Sequence, residues 1–422
     1  MLIEFRVGNF RSIRDEQVLS LVAAKDKTLS DTHLVAAPNK VVPATLRCAV
    51  VYGPNASGKS NLVRALAFMR GAVAESAGLQ AGQLFNTQPF KLDPAMADQA
   101  STFEVTFAIN GVRYQYGFAV KPDRVVEEWL LVYRAPKAQQ WFSRKWDAAR
   151  QQDVYEFSSH LTGQRKVWQD ATRGNALFLA TAAQLNSEVL TPVFRWIVDN
   201  IVVFQPAAMP MQDFSVSMAQ TVAGAQAMTN LLQAADISIA GIEIVHRKGF
   251  RQMLQPDGAT GAMNSHRQDA EFAMPQFRHV TEAGAATFEL GDESDGTQRL
   301  FALAGPVLDI LRTGRVLVVD ELDDSLHTLI VRRLVQWFHD PAYNTGGAQL
   351  VFTTHDTALL DQALFRRDQV WFVEKTHQQA TRLYPLVEFS PRKGEALERG
   401  YLEGRYGAVP LLGDLAVAPA AH

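Results

Sequence analysis

Cysteine is nearly absent. Cys48 is the only one among 422 residues, so neither an internal disulfide nor an all-cysteine metal site can form. It sits in an apolar run, where a thiol serves as small core filler. An excess of charge of one sign is also lacking. Lys and Arg number 41 against 44 Asp and Glu, and the net charge of −3 supplies no global field for nucleic acid. Contact with DNA would need a local patch or a dimer groove. Long apolar runs are missing too: residues 300–311 form one of the longest, short of the ~20 residues of a spanning helix. The opening Met1-Leu-Ile-Glu-Phe-Arg6 carries charge too early for a signal peptide. These absences read as a cytoplasmic protein without membrane association.

What is present is the make-up of a folded chain, with 47% hydrophobic and 20% charged residues. Its length exceeds one ordinary core, which predicts two or three subdomains. Residues 2–7 and 46–52 read as strands, and 61–69 as a helix through Leu62, Leu66 and Met69. Residues 102–109 and 113–120 flank Asn110-Gly111, a two-residue hairpin signal. The middle holds helical patterns over 176–185, 190–200 and 219–235. A Gly/Gln-rich stretch, 255–286, reads as a mobile loop or partner-dependent segment. Beyond it the pattern is α/β again: a helix over 298–311 interrupted by Pro306, a buried strand 316–319, a helix 326–338, and strands 349–354 and 368–374. The predicted organisation is α/β, one lobe built from both chain ends (1–122 and 288–390), an inserted, mainly helical middle domain (123–287), and a tail (391–422).

Gly53-Pro-Asn55-Ala-Ser57-Gly58-Lys59-Ser60 fits the phosphate-loop pattern. A triphosphate needs many donors at close range; glycines let backbone N–H groups converge on its oxygens. Lys59 neutralises the β- and γ-phosphates, and Ser60 offers a hydroxyl to Mg²⁺. A strand before and a helix after complete the context, the helix adding the positive end of its dipole. These residues call for ATP and Mg²⁺. Val316-Leu-Val-Val-Asp320-Glu321 reads as the partner strand, with Asp320 at the metal and Glu321 polarising the attacking water.

Further segments acquire meaning through resemblance. Ser294-Asp-Gly296-Thr-Gln298, opening a helix, resembles the signature of ABC-type ATPases, which implies that Ser294 and Gly296 meet the γ-phosphate of a nucleotide held by a second subunit. Taken alone it is also an ordinary serine cap. His355, after the strand 349–354, resembles the switch histidine, and Asp323-Asp-Ser-Leu-His327 the D-loop that touches the partner. Asn9-Phe-Arg11-Ser-Ile13 is similar to the opening of RecF, SMC and related repair ATPases, which implies a phosphate contact for Arg11; a surface arginine is the plain alternative. For the Q-loop, with a ligand to Mg²⁺, Gln88 is chosen over Gln80 and Gln83.

Together these motifs, with Asp368-Gln-Val-Trp-Phe-Val-Glu-Lys375 and Gly400-Tyr-Leu-Glu-Gly-Arg-Tyr-Gly-Ala-Val-Pro410, resemble the small ABC-type ATPases grouped with RloA and AbiLi. The resemblance covers both ends of the chain and little of the middle. It implies a dimerising or higher-order ATPase switch of an antiphage, abortive-infection or restriction-associated system, controlling a separate nuclease-like effector. Departures fall at Glu293, where transporters and SMC proteins usually carry Leu, at Thr297, which replaces their second small residue, and at Thr328, where relatives often have Pro. A self-contained nuclease finds no metal-binding acid pair or His/Cys cluster to support it. A RecF/SMC-like DNA-binding repair ATPase is the alternative, with His246-Arg-Lys248 and Arg251 as its basic group, though long coiled-coil arms are missing.

Overall fold

The computed structural model describes residues 1–205, 210–256 and 263–410. The chain forms two compact units. The first comprises Met1–Gln205, Leu311–Asp323 and Leu334–His422, and the second Pro206–Ile310 and Asp324–Arg333.

Two large sheets build the first unit, beside a short two-stranded pairing of Leu34–Val35 with Thr45–Leu46. In one, Ile201–Phe204, Val316–Val319, Gln349–Thr353, Cys48–Tyr52 and Val370–Lys375 run parallel in that order, and Thr381–Pro385 closes the edge antiparallel. The strands Cys48–Tyr52, Val316–Val319 and Gln349–Thr353 are buried at every residue, as expected of a parallel sheet covered on both faces. Cys48–Tyr52 thus lies between two strands, Gln349–Thr353 and Val370–Lys375, that come from the far end of the chain.

The other sheet is antiparallel and seven-stranded, ordered Gln152–Phe157, Gln139–Asp147, Arg124–Tyr133, Val112–Lys121, Ser101–Ile109, Leu2–Gly8 and Gln17–Ser20. Asn110 and Gly111 both take positive φ, 48° and 77°, at the tight turn joining Ser101–Ile109 to Val112–Lys121. Phe103, Val105 and Phe107 point from one face of this sheet into the core, together with Tyr116, Phe118 and Leu130. Gln349 fastens the N-terminal strand to the parallel sheet. Its fully buried amide accepts from Leu2 N (2.6 Å) and donates to Leu2 O (2.9 Å) and Leu46 O (3.0 Å).

The structure corrects the reading of the middle segment as mainly helical. Arg124–Tyr133, Gln139–Asp147 and Gln152–Phe157 continue the seven-stranded sheet, and Lys121 pairs with Arg124 across the supposed boundary at 122/123. Helices Arg165–Ala171, Phe178–Gln184 and Thr191–Asn200 follow. The misreading has a simple origin: the helical repeats were apolar on one side, whereas these strands mix polar and apolar residues on both faces.

The second unit has helices Pro210–Ala219 and Val222–Ala234 and a three-stranded antiparallel sheet, Gly241–Pro256, Met263–Thr281 and Gly284–Glu289. The stretch 255–286, expected to be a mobile loop or partner-dependent segment, is largely strand where it is described, which overturns the loop; its residues 257–262 lie outside the described residues. Much of this sheet is exposed, so no period-2 apolar pattern marks it. The helix Asp295–Thr313 carries Pro306 in its interior. Gly305 packs directly on Ser215, whose Oγ accepts from Gly305 N (3.2 Å) and donates to Ala302 O (3.1 Å).

In the first unit, residues 391–410 of the tail cover the hairpin Val370–Pro385: Tyr401 and Tyr406 stack on Phe372, with ring centroids 5.4 and 5.8 Å away. Among the described residues no helix is long and apolar enough to cross a membrane.

Candidate functional site

The loop 53–58 leaves the buried strand Cys48–Tyr52 and enters the helix Lys59–Glu75. Gly58 sits at φ 115°, and a side chain there would collide with the Thr381 hydroxyl. At Gly53 a Cβ would run into the carbonyl of Val373. The loop is seated against the terminal hairpin with no room for side chains at either glycine. Asn55 is exposed, Ser60 partly exposed, and Ser57 buried. The Ser57 Oγ has no hydrogen-bond partner.

Lys59 folds back over the loop, donating from Nζ to Gly53 O (2.6 Å) and Pro54 O (3.1 Å). Burial lowers its pKa to about 8; the nearby Glu321, Asp320 and Asp323 oppose that shift. Its Nζ also stands 3.4 Å from His355 Nδ1.

The strand Val316–Val319 delivers Asp320 into the interior, and Glu321 follows at φ 55°. A left-handed conformation at a non-glycine residue costs about 1 kcal/mol or more and needs an external constraint. Thr353 supplies it. Its Oγ1 accepts the Glu321 N–H at 2.8 Å and donates to Asp320 Oδ1 at 2.8 Å. One hydroxyl thereby sets both acids. The Glu321 carboxylate lies 3.4 Å from His355 Nε2, and His355 N donates to Asp323 Oδ2 at 3.1 Å. The structure thus brings Lys59, Asp320, Glu321 and His355 together. It adds Thr353 and a within-chain role for Asp323, which sequence reasoning had assigned only to a partner contact. A threonine ending a buried strand beside the acids was the available signal for Thr353.

Arg11 lies in the same unit, at φ 52°, with its N–H donated to Gln88 O at 2.6 Å. Its guanidinium rests 5.7 Å above the Phe10 ring, and burial, with Arg64 adding repulsion, pushes its pKa down. Gln88 is placed through this backbone contact. The turn is organised by Asn9, whose amide accepts from Phe90 N (2.9 Å) and donates to the carbonyls of Met96 and Gln99 (both 2.9 Å).

Ser294 and Gly296 belong to the second unit. Ser294 Oγ accepts from Thr297 N (3.2 Å) and shares a 2.9 Å bond with Thr297 Oγ1, so it does cap its helix. A side chain at Gly296 would press on Ser325 O. Glu293, the departure from leucine, is held by His279 Nε2 at 2.7 Å. Of the basic group, Arg247 pairs with Glu289 at 2.6 Å and His246 lies 3.9 Å from Glu271.

The family model described as "AAA domain, putative AbiEii toxin, Type IV TA system" matches residues 48–361. No curated protein matches the chain. Among solved structures, the SMC head domain from Thermotoga maritima is 14% identical with a TM-score of 0.41, the match covering 91% of this chain and 98% of that one. The SmcHead bound to the C-winged helix domain of ScpA is 12% identical with a TM-score of 0.40, over 91% and 97% of the two chains. The Smc head domain with an extended coiled coil, bound to the C-terminal domain of ScpA derived from Pyrococcus furiosus, is 10% identical with a TM-score of 0.42, over 96% and 99%.

Proposed function

The chain belongs to this AbiEii-type AAA-domain family of P-loop ATPases, and from that premise we propose that it is an ABC-type ATPase switch. It binds ATP with Mg²⁺, closes as a dimer around the nucleotide, and reopens on hydrolysis. The observation that carries the reading is the unbroken line Lys59–His355–Glu321, each link 3.4 Å long, beside the glycine loop.

Each residue has a chemical task there. The loop amides of Gly53, Asn55, Ser57 and Gly58 and the Lys59 ammonium take up phosphate charge, Lys59 exchanging its two carbonyl partners for phosphate oxygens. Glu321 accepts a proton from the attacking water and orients it, while His355 couples that carboxylate to the γ-phosphate position. Arg11 adds a further cation toward the phosphates. Ser60 and Asp320, with the Gln88 amide, would supply the oxygen donors that Mg²⁺ prefers. When bound, the metal would neutralise phosphate charge.

Ser294 and Gly296 of a second copy would complete the site by capping the γ-phosphate, giving ATP the differential affinity for the closed state that any population shift requires. The family description names a toxin of a type IV toxin–antitoxin system, which fits an antiphage or abortive-infection role in which closure releases or restrains a separate effector, nuclease-like by resemblance. The competing DNA-repair reading leans on the exposed group around His246, where Arg247 pairs with Glu289 and His246 lies near Glu271, so that carboxylates offset part of its positive charge.

Phosphate release by the purified protein with ATP and Mg²⁺, together with its mass in solution, tests the proposal. Turnover that vanishes in Lys59→Ala and an ATP-dependent doubling of mass are expected. A monomer with undiminished turnover in Lys59→Ala would end it, and an ATP-dependent gel shift of DNA would favour the repair reading.

A further inference from the structure

We propose that Thr381 and Ser12, more than 360 positions apart in the chain, are positioning residues for the phosphate loop, joined in a one-way hydrogen-bond relay that ends on its backbone. The inference rests on the ATPase reading above and deepens it.

Four side chains make the relay, all in the first unit. Arg64 Nη1 donates to Asn61 Oδ1 at 3.1 Å, which fixes the orientation of that amide and turns its Nδ2 toward Ser12. Asn61 Nδ2 donates to Ser12 Oγ at 2.7 Å. Ser12 Oγ and Thr381 Oγ1 are 2.7 Å apart. Thr381 Oγ1 donates to Ser57 O at 2.9 Å.

The direction of the two hydroxyl protons follows from the ends. An amide N–H can only donate and a carbonyl can only accept, and each hydroxyl carries one proton. With Thr381 committed to the Ser57 carbonyl, Ser12 must give its proton to Thr381 while accepting from Asn61. The polarity runs from the Arg64 cation to the loop peptide without a reversal. Bonds so aligned strengthen one another. A second tie, Thr381 N to Ser12 O at 2.7 Å, keeps the two residues in register.

The consequence falls on the Ser57–Gly58 peptide. Drawing electron density toward the Ser57 oxygen makes the N–H of Gly58 on the same peptide a better donor, and it fixes the plane of that peptide. In a phosphate loop this N–H faces the ligand. The space left at Gly58, too small for a Cβ because Thr381 occupies it, belongs to the same arrangement. It also accounts for the serine in Asn9-Phe-Arg-Ser12-Ile13, which needs a hydroxyl able to pass a hydrogen bond onward.

The test is titration of the full-length chain with ATP and Mg²⁺, alongside steady-state hydrolysis. Thr381→Val keeps the side-chain shape and removes the donor. We expect ATP binding about tenfold weaker, the loss appearing in KM more than in kcat. Thr381→Ser restores the hydroxyl and is expected within about twofold of the original affinity. Ser12→Ala, which interrupts the relay while leaving Thr381 intact, is expected to weaken binding about threefold. Unaltered affinity in a folded Thr381→Val overturns the inference. So does an affinity in Thr381→Ser as poor as in Thr381→Val, since packing and not the hydroxyl would then matter. Should Thr381→Val fail to fold, Ser12→Ala decides: unchanged affinity there overturns the relay. Failure of the unaltered chain to bind ATP removes the ATPase reading itself.

Discussion

His355 stands 3.4 Å from the Glu321 carboxylate through one ring nitrogen, while its backbone N–H is tied to Asp323. The same imidazole reaches Lys59 with its other nitrogen. Lys59, His355 and Glu321 are therefore linked through one imidazole, and a displacement of one is felt by the others.

Glu321→Gln keeps the shape of the side chain and removes its basicity. Hydrolysis should fall by about 100-fold or more, while ATP binding through the loop persists. Because the nucleotide is then trapped, an ATP-bound dimer should accumulate, visible by light scattering. Normal turnover in this variant excludes Glu321 as the base.

The ammonium of Lys59 gives a pH dependence of definite sign. Burial lowers its pKa to about 8, so the free protein loses this positive charge as pH rises through that value. Phosphate binding needs the charged form, hence ATP affinity should decline above about pH 8 and level off below it. Lys59→Arg, charged throughout, should bind more weakly at pH 7 yet show no such decline. A flat profile for the unaltered chain between pH 7 and 9 would contradict the assignment.

Thr353→Val separates geometry from chemistry. The variant leaves Asp320 and Glu321 in place but deletes the hydroxyl that bonds both. With the left-handed backbone at Glu321 less constrained, kcat should drop about tenfold or more, and KM much less. Single-turnover rates measured with saturating ATP will report it; an unchanged rate means that another contact holds Glu321.

How much of this was open to reading depends on the range of the interaction. The glycine loop and the strand before Asp320 announce themselves because each is a short continuous pattern with a local cause, phosphate approach in one and burial on both faces in the other. Asn110-Gly111 is legible for the same reason, since the turn imposes positive φ on two adjacent residues. Thr381 left no trace, because its function is a bond to Ser57, 324 positions away, and nothing around residue 381 differs from an ordinary edge strand. Arg124–Tyr133 and its neighbours were hidden differently: Trp129 lies flat over Gly117 and donates to Glu104 on the less buried face, so an aromatic sits where alternation would place a polar residue.

Gln349→Leu tests the tie between the two sheets. The amide makes three buried backbone bonds, to Leu2 N, Leu2 O and Leu46 O. Leucine of similar size leaves those groups unsatisfied in the interior, at a cost of about 3 kcal/mol. Denaturant unfolding should show a lower midpoint with an unchanged slope, since the surface exposed on unfolding stays the same.

Ser294→Arg addresses the contact between copies. Ser294 already serves as a helix cap through Thr297, and Ser294→Ala would mix lost capping, about 1 kcal/mol, with any lost phosphate contact. Arginine instead places bulk where a partner's γ-phosphate would enter. Nucleotide binding, measured at a loop in the first unit, should survive with affinity within about threefold, because the proposed role of Ser294 is at a nucleotide held by another copy. ATP-dependent dimerisation should disappear, and turnover with it if closure is required for hydrolysis. Ser294→Thr retains a capping hydroxyl and separates the two effects: a dimer that forms in Ser294→Thr but not in Ser294→Arg assigns the residue to the interface, whereas closure in both leaves Ser294 a cap and nothing more.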